Sequence, residues 1–193
     1  RDFCLSRGLG DVYKRQGYNN SSGCAASGDG NGHVFVLDAA TGELLDDIPT
    51  YTSGTTAAGS TGSPSGLGQL NAWVDNSRLG VADRVYGGDM QGNLWRIDFD
   101  DNHLPAGKEA VLIASLKDGA ATPNAQPISV RPELAEIDVA GTKYPLIMVG
   151  TGRYLGDSDI SDLSQQTIYG IKDTLASVCL LYTSPSPRDR QKS

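Results

Sequence analysis

The apolar residues of this chain occur in short runs rich in β-branched and aromatic side chains, and turns rich in Gly, Asp and Asn separate these runs. No window has the 3.6-residue periodicity of an amphipathic helix. The pattern therefore predicts an all-β protein. Its predicted strands cover residues 84–88, 94–99, 110–115, 128–137 and 144–149.

One hairpin pattern occurs twice without a gap, in residues 28–38 and 88–98. Both copies fit G-D-x-x-G-x-[VL]-[FW]-x-[LI]-D, and a weaker third copy in residues 167–172 fits the apolar positions only. Glycine permits a positive φ in the turn, and Asp and Asn side chains bond to the nearby backbone. Each copy therefore predicts a β-hairpin.

Repeated hairpins with an aromatic residue at a fixed place predict a partial β-propeller of about three blades, with quinoprotein-like repeats. The equivalent residues Leu37, Ile97 and Ile171 lie farther apart than the ~40 to 50 residues of a typical blade. Long inserted loops are therefore expected, and residues 50–68, rich in Ser, Thr, Gly, Ala and Pro, form the most obvious one. A β-sandwich is the alternative fold.

The repeated aromatic residues are Phe35, Trp95 and Tyr169. Their equivalence favours packing between blades, because a buried aromatic side chain contributes a large apolar area. The alternative function is a platform on which a ligand stacks.

The two ends of the chain are related through DNA. A back-translation of residues 6–16, reverse-complemented and shifted by one base, encodes most of residues 179–189, and the string resembles a transposon-type sequencing adapter. We therefore assign residues 1–16 and 179–193 to adapter-like, non-native ends and residues 17–178 to a β-propeller fragment cut at both ends. The ends are expected to pack against nothing native.

Residues 17–178 are strongly acidic. The ends hold seven of the 16 Lys and Arg residues but only three of the 23 Asp and Glu residues, which leaves nine basic and 20 acidic residues between them. Such a balance argues against nucleic acid or an anionic membrane as a partner. These residues contain no run of eighteen apolar residues, so the sequence predicts no membrane-spanning helix in them.

Cys24 is the only cysteine in residues 17–178, so neither a disulfide framework nor a thiolate metal site is expected. His33 and His103 have no triad-like sequence setting that would activate Cys24 as a nucleophile. We therefore predict no catalytic residue and no cofactor-binding residue.

Six segments occur in an order that is typical of one known family, and they cover nearly all of residues 17–178. They resemble the C-terminal β-propeller domain of type IV pilus biogenesis and adhesion proteins of the PilY1/PilC type. The segment 83–98 is the specific one, whereas the Leu-Asp-Ala-Ala-Thr-Gly segment is common to many quinoprotein-like propellers. The six segments are residues 17–20, 34–42, 83–98, 127–133, 149–155 and 168–171.

The resemblance implies a non-enzymatic protein that is exported through the periplasm and outer membrane to the bacterial cell surface or pilus. Such a protein supports pilus assembly against retraction and contributes to surface attachment. Its implied partners are pilus subunits or minor pilins, and a host or surface ligand. The alternatives are a pyrroloquinoline-quinone-dependent dehydrogenase propeller and a periplasmic scaffold for outer-membrane assembly.

The resemblance also implies a calcium loop, because members of the family commonly carry D-x-D-x-D-G-x-x-D before this hairpin. Here Asp75 and Asp83 keep the first and last acids, but Ser77 and Leu79 replace the second and third. Calcium requires six to eight oxygen ligands, and Arg78 adds a positive charge beside them. The expected site at Asp75, Ser77 and Asp83 is therefore degenerate, and its calcium affinity is weak or lost.

Two further motifs, an acidic loop and a possible glycosylation site, give no evidence of function. Three acids in residues 156–162 match no calcium-loop spacing and predict a solvated turn. Asn20-Ser21-Ser22 fits a glycosylation acceptor, but matches to so short a motif are frequent by chance.

Overall fold

The computed structural model of the chain describes residues 4–5, 11–15, 20, 28–50, 58–74, 82–99, 109–175 and 181–183. In these residues the regular structure is almost entirely β-strand, with one 3₁₀ helix at Asp157–Ser161 and no α-helix. The strands are β1 (Cys4–Leu5), β2 (Asp11–Arg15), β3 (His33–Asp38), β4 (Leu44–Pro49), β5 (Leu67–Trp73), β6 (Arg84–Asp89), β7 (Asn93–Asp98), β8 (Ala110–Leu116), β9 (Glu133–Val139), β10 (Thr142–Gly150), β11 (Ile168–Lys172) and β12 (Leu181–Thr183).

The strands form three sheets that follow one another along the chain. Sheet I has the order β1-β2-β3-β4, sheet II β5-β6-β7-β8 with β12 added beside β8, and sheet III β9-β10-β11. The repeated strands β3, β7 and β11 hold the third position in their sheets, and β5 contacts both β1 and β9. This arrangement confirms the predicted partial β-propeller of about three blades, and the sandwich alternative is wrong.

Sheet II is buried on both faces because it lies between the other two sheets. Every residue of β6 is buried, whereas the exposure of residues along β3 in sheet I alternates. One apolar cluster lies between sheets I and II and includes Val34, Val36, Val85, Trp95 and Ile97. A second lies between sheets II and III and includes Tyr86, Leu94, Ile113, Ile128, Ile147, Val149, Tyr169 and Ile171.

The repeated aromatic residues divide according to the position of their sheet. Trp95 and Tyr169 are buried between sheets, as the packing interpretation predicts. Phe35 is only half-buried and stacks on the ring of His33, with 5.8 Å between the ring centroids. Its side of β3 is opposite to Val34 and Val36, which face sheet II.

Gly92 closes the β6–β7 turn with a φ of 79°, a conformation that residues with a Cβ rarely adopt. A Cβ at this position would also lie 2.6 Å from the carbonyl oxygen of Leu116. That carbonyl belongs to the end of β8, which returns beside the turn. Glycine is therefore required here for both backbone conformation and space.

The strand predictions succeed best in sheet II, where β7 and β8 begin or end within one residue of expectation. The predicted strand 128–137 is wrong in its first half, because the backbone N–H of Ile128 bonds to the carbonyl of Asp89 and β9 begins only at Glu133. Strands β4 and β5 have no predicted counterpart. They contain Asp, Pro, Gly and Asn, which are depleted in strands generally.

The expectation that the ends pack against nothing native is wrong. Strand β2 pairs antiparallel with β3, and β12 pairs in parallel with β8. Val12 and Tyr13 lie opposite Leu37 and Val36, the register that Val85 and Tyr86 take in sheet II. Strand pairing uses backbone groups, so a segment with β-forming residues can occupy an open sheet edge whatever its origin.

Candidate functional site

The turn between β6 and β7 is organised around the carboxylate of Asp89, which is fully buried. Its Oδ1 accepts hydrogen bonds from the backbone N–H groups of Gln91 and Asn93, both at 2.9 Å. Its Oδ2 accepts from the side-chain amide of Asn93 at 3.0 Å and from the indole Nε1 of Trp95 at 2.9 Å. Burial raises the pKa of Asp89 to about 6, although these hydrogen bonds oppose the shift.

Asp29 holds the equivalent place in sheet I, where its Oδ1 and Oδ2 accept from the backbone and side-chain N–H groups of Asn31. The side-chain amide of Asn20 donates to Asp29 at 2.7 Å and to the carbonyl of Asn31 at 2.9 Å. Asn20 is only 5% exposed. The side-chain amide of the glycosylation motif is therefore buried and hydrogen-bonded within the protein.

His33 lies between two carboxylates. Its Nδ1 is 2.7 Å from Oδ1 of Asp47, and its Nε2 is 3.2 Å from Oδ1 of Asp29. Burial alone would lower the pKa of His33, but the hydrogen bonds and charges of Asp47 and Asp29 raise it above the usual 6.5. The imidazole therefore joins Asp29, in the turn before β3, to Asp47 on the neighbouring strand β4.

A buried ionic network lies at the opposite end of the β6–β7 hairpin. Arg96 donates from Nε to Asp98 at 2.8 Å and from one terminal nitrogen to both oxygens of Asp173, at 2.9 and 3.0 Å. The hydroxyl of Tyr86 donates to Asp173 at 2.9 Å. Arg96, Asp98 and Asp173 are each at most 2% exposed, and Asp173 follows β11. The network therefore joins sheet III to sheet II through buried hydrogen bonds and ion pairs.

The described part of the chain contains one of the three expected calcium ligands. The backbone N–H of Asp83 donates to Trp73, and its carbonyl accepts from Phe99, so Asp83 is fixed at the start of β6. Asp75 and Ser77 lie outside the described residues, as do Cys24 and His103. Within the described residues no group of three or more His, Cys, Asp and Glu side chains could hold a metal ion.

The connection between β10 and β11 contains the acids of residues 156–162 and presents apolar side chains to solvent. Asp157 and Asp162 are exposed in a turn that includes the 3₁₀ helix, as predicted, but the side chain of Asp159 is only 6% exposed. We call the exposed apolar residues of this connection the apolar ridge; they are Tyr154, Leu155, Ile160 and Leu163.

A cleft of about 500 Å³ lies between this connection and sheet II. One wall contains Leu155, Arg153 and Asp159, and the other contains Met90, Gln91, Ser63 and Pro64. The cleft is open to solvent, and both apolar and polar groups line it. Sequence reasoning missed this cleft because its walls come from three separate loops.

Comparison with known proteins places this geometry in a family context. A family model of the PilY1 beta-propeller domain matches residues 7–179. The type IV pilus biogenesis factor PilY1 of Pseudomonas aeruginosa is 33% identical over 167 residues, which cover 75% of this chain and 14% of that protein. A PilY1 homolog of Xylella fastidiosa is 40% identical over 143 residues, which cover 74% of this chain and 10% of that protein.

The crystal structure of the Pseudomonas aeruginosa PilY1 C-terminal domain has the same fold. It matches with a TM-score of 0.68 and 26% sequence identity, and the match covers 93% of this chain and 39% of that chain. The present chain therefore spans a small part of its curated relatives and less than half of the solved domain. No helix in the described residues is long and apolar enough to cross a membrane.

Proposed function

The chain belongs to the PilY1 β-propeller domain family, and we propose that it is the propeller region of a type IV pilus biogenesis and adhesion factor. It acts there in pilus assembly, in opposing retraction and in surface attachment. The observation that carries this proposal is the family match over residues 7–179, which includes every described strand except β1 and β12. The resemblance inferred from the repeated hairpin is thereby confirmed.

The proposed role is non-enzymatic, because the polar side chains described above have structural partners. A quinone-dependent dehydrogenase would need a Trp that stacks on the quinone and a catalytic Asp. Here the indole of Trp95 is 2% exposed and bonds to the buried Asp89, so this pair maintains a hairpin. The curated relatives are named pilus biogenesis factors, which also favours the pilus role over the enzyme and the periplasmic scaffold.

The proposal places the protein at the bacterial cell surface or on the pilus, after export through the periplasm and outer membrane. Its partners would be pilus subunits or minor pilins, and a host or surface ligand. The excess of acids in residues 17–178 supports protein partners over nucleic acid or an anionic membrane.

We further propose that calcium has at most a weak role in this chain. The loop that begins at Asp75 enters β6 at Asp83, which is fixed by two backbone hydrogen bonds. Ser77 is a neutral ligand, and the next ligand position holds Leu79, which has no side-chain oxygen. The loop therefore retains two of the four acids of the family pattern.

A segment exchange tests the pilus role. In a Pseudomonas aeruginosa strain that lacks its own PilY1, residues 17–178 would replace the matching segment of the full-length protein. We expect surface pili and twitching motility to return. The matched control is the same exchange with Gly92→Val, which should prevent the β6–β7 turn and abolish both, because φ near 79° is unfavourable for Val.

Two results would contradict the proposal. One is full restoration of pili by a protein from which this segment has simply been deleted. The other is alcohol-dependent dye reduction by the purified chain after reconstitution with pyrroloquinoline quinone and calcium.

A further inference from the structure

The β10–β11 connection is an ordered insertion that the propeller architecture does not require. In sheet II the equivalent β6–β7 connection is a tight turn closed by Gly92. In sheet III the connection extends from Thr151 to Thr167. Hydrogen bonds between these two residues close its base, and we call this pair the clasp. The N–H of Thr151 bonds to the carbonyl of Thr167 at 2.9 Å, and the N–H of Thr167 bonds to Oγ1 of Thr151 at 2.8 Å.

The clasp is anchored to the linker between sheets II and III. The side-chain amide of Gln126 donates to the carbonyl of Gln165 at 2.7 Å and to Oγ1 of Thr167 at 3.1 Å. The hydroxyl of Ser129 donates to the carbonyl of Gly152 at 2.8 Å. The insertion is therefore held in one place relative to sheet II.

Inside the insertion, the polar groups bond to one another. Asp159 accepts from Nε of Arg153 at 2.8 Å and from the backbone N–H groups of Leu155 and Gly156, at 2.9 and 3.2 Å. These backbone bonds and the Arg153 charge lower the pKa of Asp159, so its carboxylate stays ionised. The carboxylate of Asp162 accepts from the N–H of Ser164.

The apolar side chains of the insertion point outward instead. Leu163 is 94% exposed, Tyr154 77% and Ile160 65%, and the 3₁₀ helix buries no residue at all. A loop that only connected two strands would have no need of four large apolar side chains in water. Several large apolar side chains exposed within one short connection are typical of an interaction site.

The net charge of the insertion indicates which charge a binding partner should carry. Arg153 and Asp159 neutralise each other, so Asp157 and Asp162 give the insertion a net negative charge. The cleft beside Leu155 offers a place where one side chain of a partner could insert. We propose that the apolar ridge and this cleft form a docking surface for a protein segment that carries aliphatic side chains among Lys and Arg residues.

The proposal extends the proposed function, because it assigns a surface and a partner chemistry to the propeller. The two can fail separately. Pili could return in the exchange experiment while the ridge binds nothing, or the ridge could bind a peptide while pili do not return.

The test uses the purified 193-residue chain and fluorescein-labelled peptides in fluorescence anisotropy. The probe alternates Leu and Lys, and two comparison peptides alternate Leu with Glu and Ser with Lys. The ridge variant combines Tyr154→Ser with Leu163→Ser. The matched control combines Leu44→Ser with Leu45→Ser, an apolar pair that is 53% and 50% exposed and lies beside two acids on β4.

We expect saturable binding of the Leu-Lys peptide, weakened about tenfold in the ridge variant and unchanged in the control, because exposed anchors supply most of the binding energy of such contacts. Asp157→Asn with Asp162→Asn should weaken binding and reduce its salt dependence. Thermal melting checks that the ridge variant is folded; if it is not, Ile160→Ser alone serves in its place.

Four results would overturn the proposal. They are equal binding by native chain and ridge variant, equal binding of the Leu-Glu or Ser-Lys peptide, ridge-dependent self-association in sedimentation velocity, and ridge-dependent binding to vesicles of anionic lipid. The third would make the occupant a second copy, and the fourth a membrane.

Discussion

The indole nitrogen of Trp95 donates a 2.9 Å hydrogen bond to the buried carboxylate of Asp89, so the repeated aromatic residue and the repeated acid of sheet II are direct partners. The bond joins strand β7 to the turn that precedes it. In sheet I the corresponding aromatic residue is Phe35, which has no donor, and the imidazole of His33 lies beside Asp29 instead. The same sequence pattern therefore supports two different ways of satisfying its acid.

Asp89→Ala is expected to destabilise the protein by about 3 kcal/mol, because it leaves several buried donors without an acceptor. Chemical denaturation measures the change. The matched control is Asp118→Ala, whose carboxylate accepts three N–H hydrogen bonds of the same kind at the surface, where water can replace it. Comparable losses for the two variants would contradict the role assigned to burial.

The pH dependence of stability offers a second test of Asp89. Its folded-state pKa is raised to about 6 from 3.8, so its contribution is fully present below pH 3.8 and is lost as the pH rises through 6. The difference in unfolding free energy between native protein and Asp89→Asn should therefore fall across that window. A difference that stays constant from pH 4 to 7 would show that Asp89 titrates normally.

His33 should titrate above its usual pKa of 6.5, because Asp47 and Asp29 stabilise the imidazolium. Its contribution to stability is complete below pH 6.5 and is lost as the pH rises through the raised value. NMR titration reports the pKa directly, and His33→Gln should remove this part of the pH dependence of the melting temperature. His103→Gln serves as the control; a pKa of His33 at or below 6.5 would contradict the two-carboxylate arrangement.

Asp173→Asn is expected to cost about 3 to 5 kcal/mol, since it leaves the buried Arg96 without half of its compensating charge. Chemical denaturation should show this loss. Lys143→Gln breaks the exposed pair with Glu136 at 2.6 Å and should have no measurable effect, because water screens surface ion pairs. If Asp173→Asn is equally silent, the network does not hold sheet III in place.

Calcium should raise the melting temperature little in the native chain, because stabilisation by a ligand follows RT ln(1 + [L]/Kd) and the loop beginning at Asp75 lacks two acids. Ser77→Asp with Leu79→Asp should restore a calcium-dependent rise. Isothermal titration provides the decisive measurement: micromolar calcium binding by the native chain, or no gain in the double variant, would refute the degenerate-site interpretation.

Local chemistry explains which parts of the fold were predictable. The β6–β7 hairpin depends on Gly92 and on Asp89 bonding to its own turn, so nearby residues determine it. The pairing of Arg96 with Asp173 joins residues that are 77 positions apart, and no local pattern indicates it. The cleft was not predictable from the sequence for the same reason, because loops far apart along the chain form its walls.

The DNA relationship between the ends concerns the origin of those residues, and it gave no information on their conformation. Residues of any origin can form a ladder when their backbone meets an open edge, as β2 and β12 do here. The assignment of residues 1–16 and 179–193 as non-native is therefore a prediction about the origin of the sequence, which sequencing of the source DNA would test.

The clasp between Thr151 and Thr167 closes the base of the β10–β11 insertion with backbone and hydroxyl groups of its own. What lies beyond the clasp can therefore change in length and sequence without disturbing the register of β10 and β11. Substitutions beyond the clasp are therefore expected to leave the packing of the core unchanged. The same closure makes residues 153–166 a natural graft position, into which a foreign recognition sequence could be placed on an intact propeller.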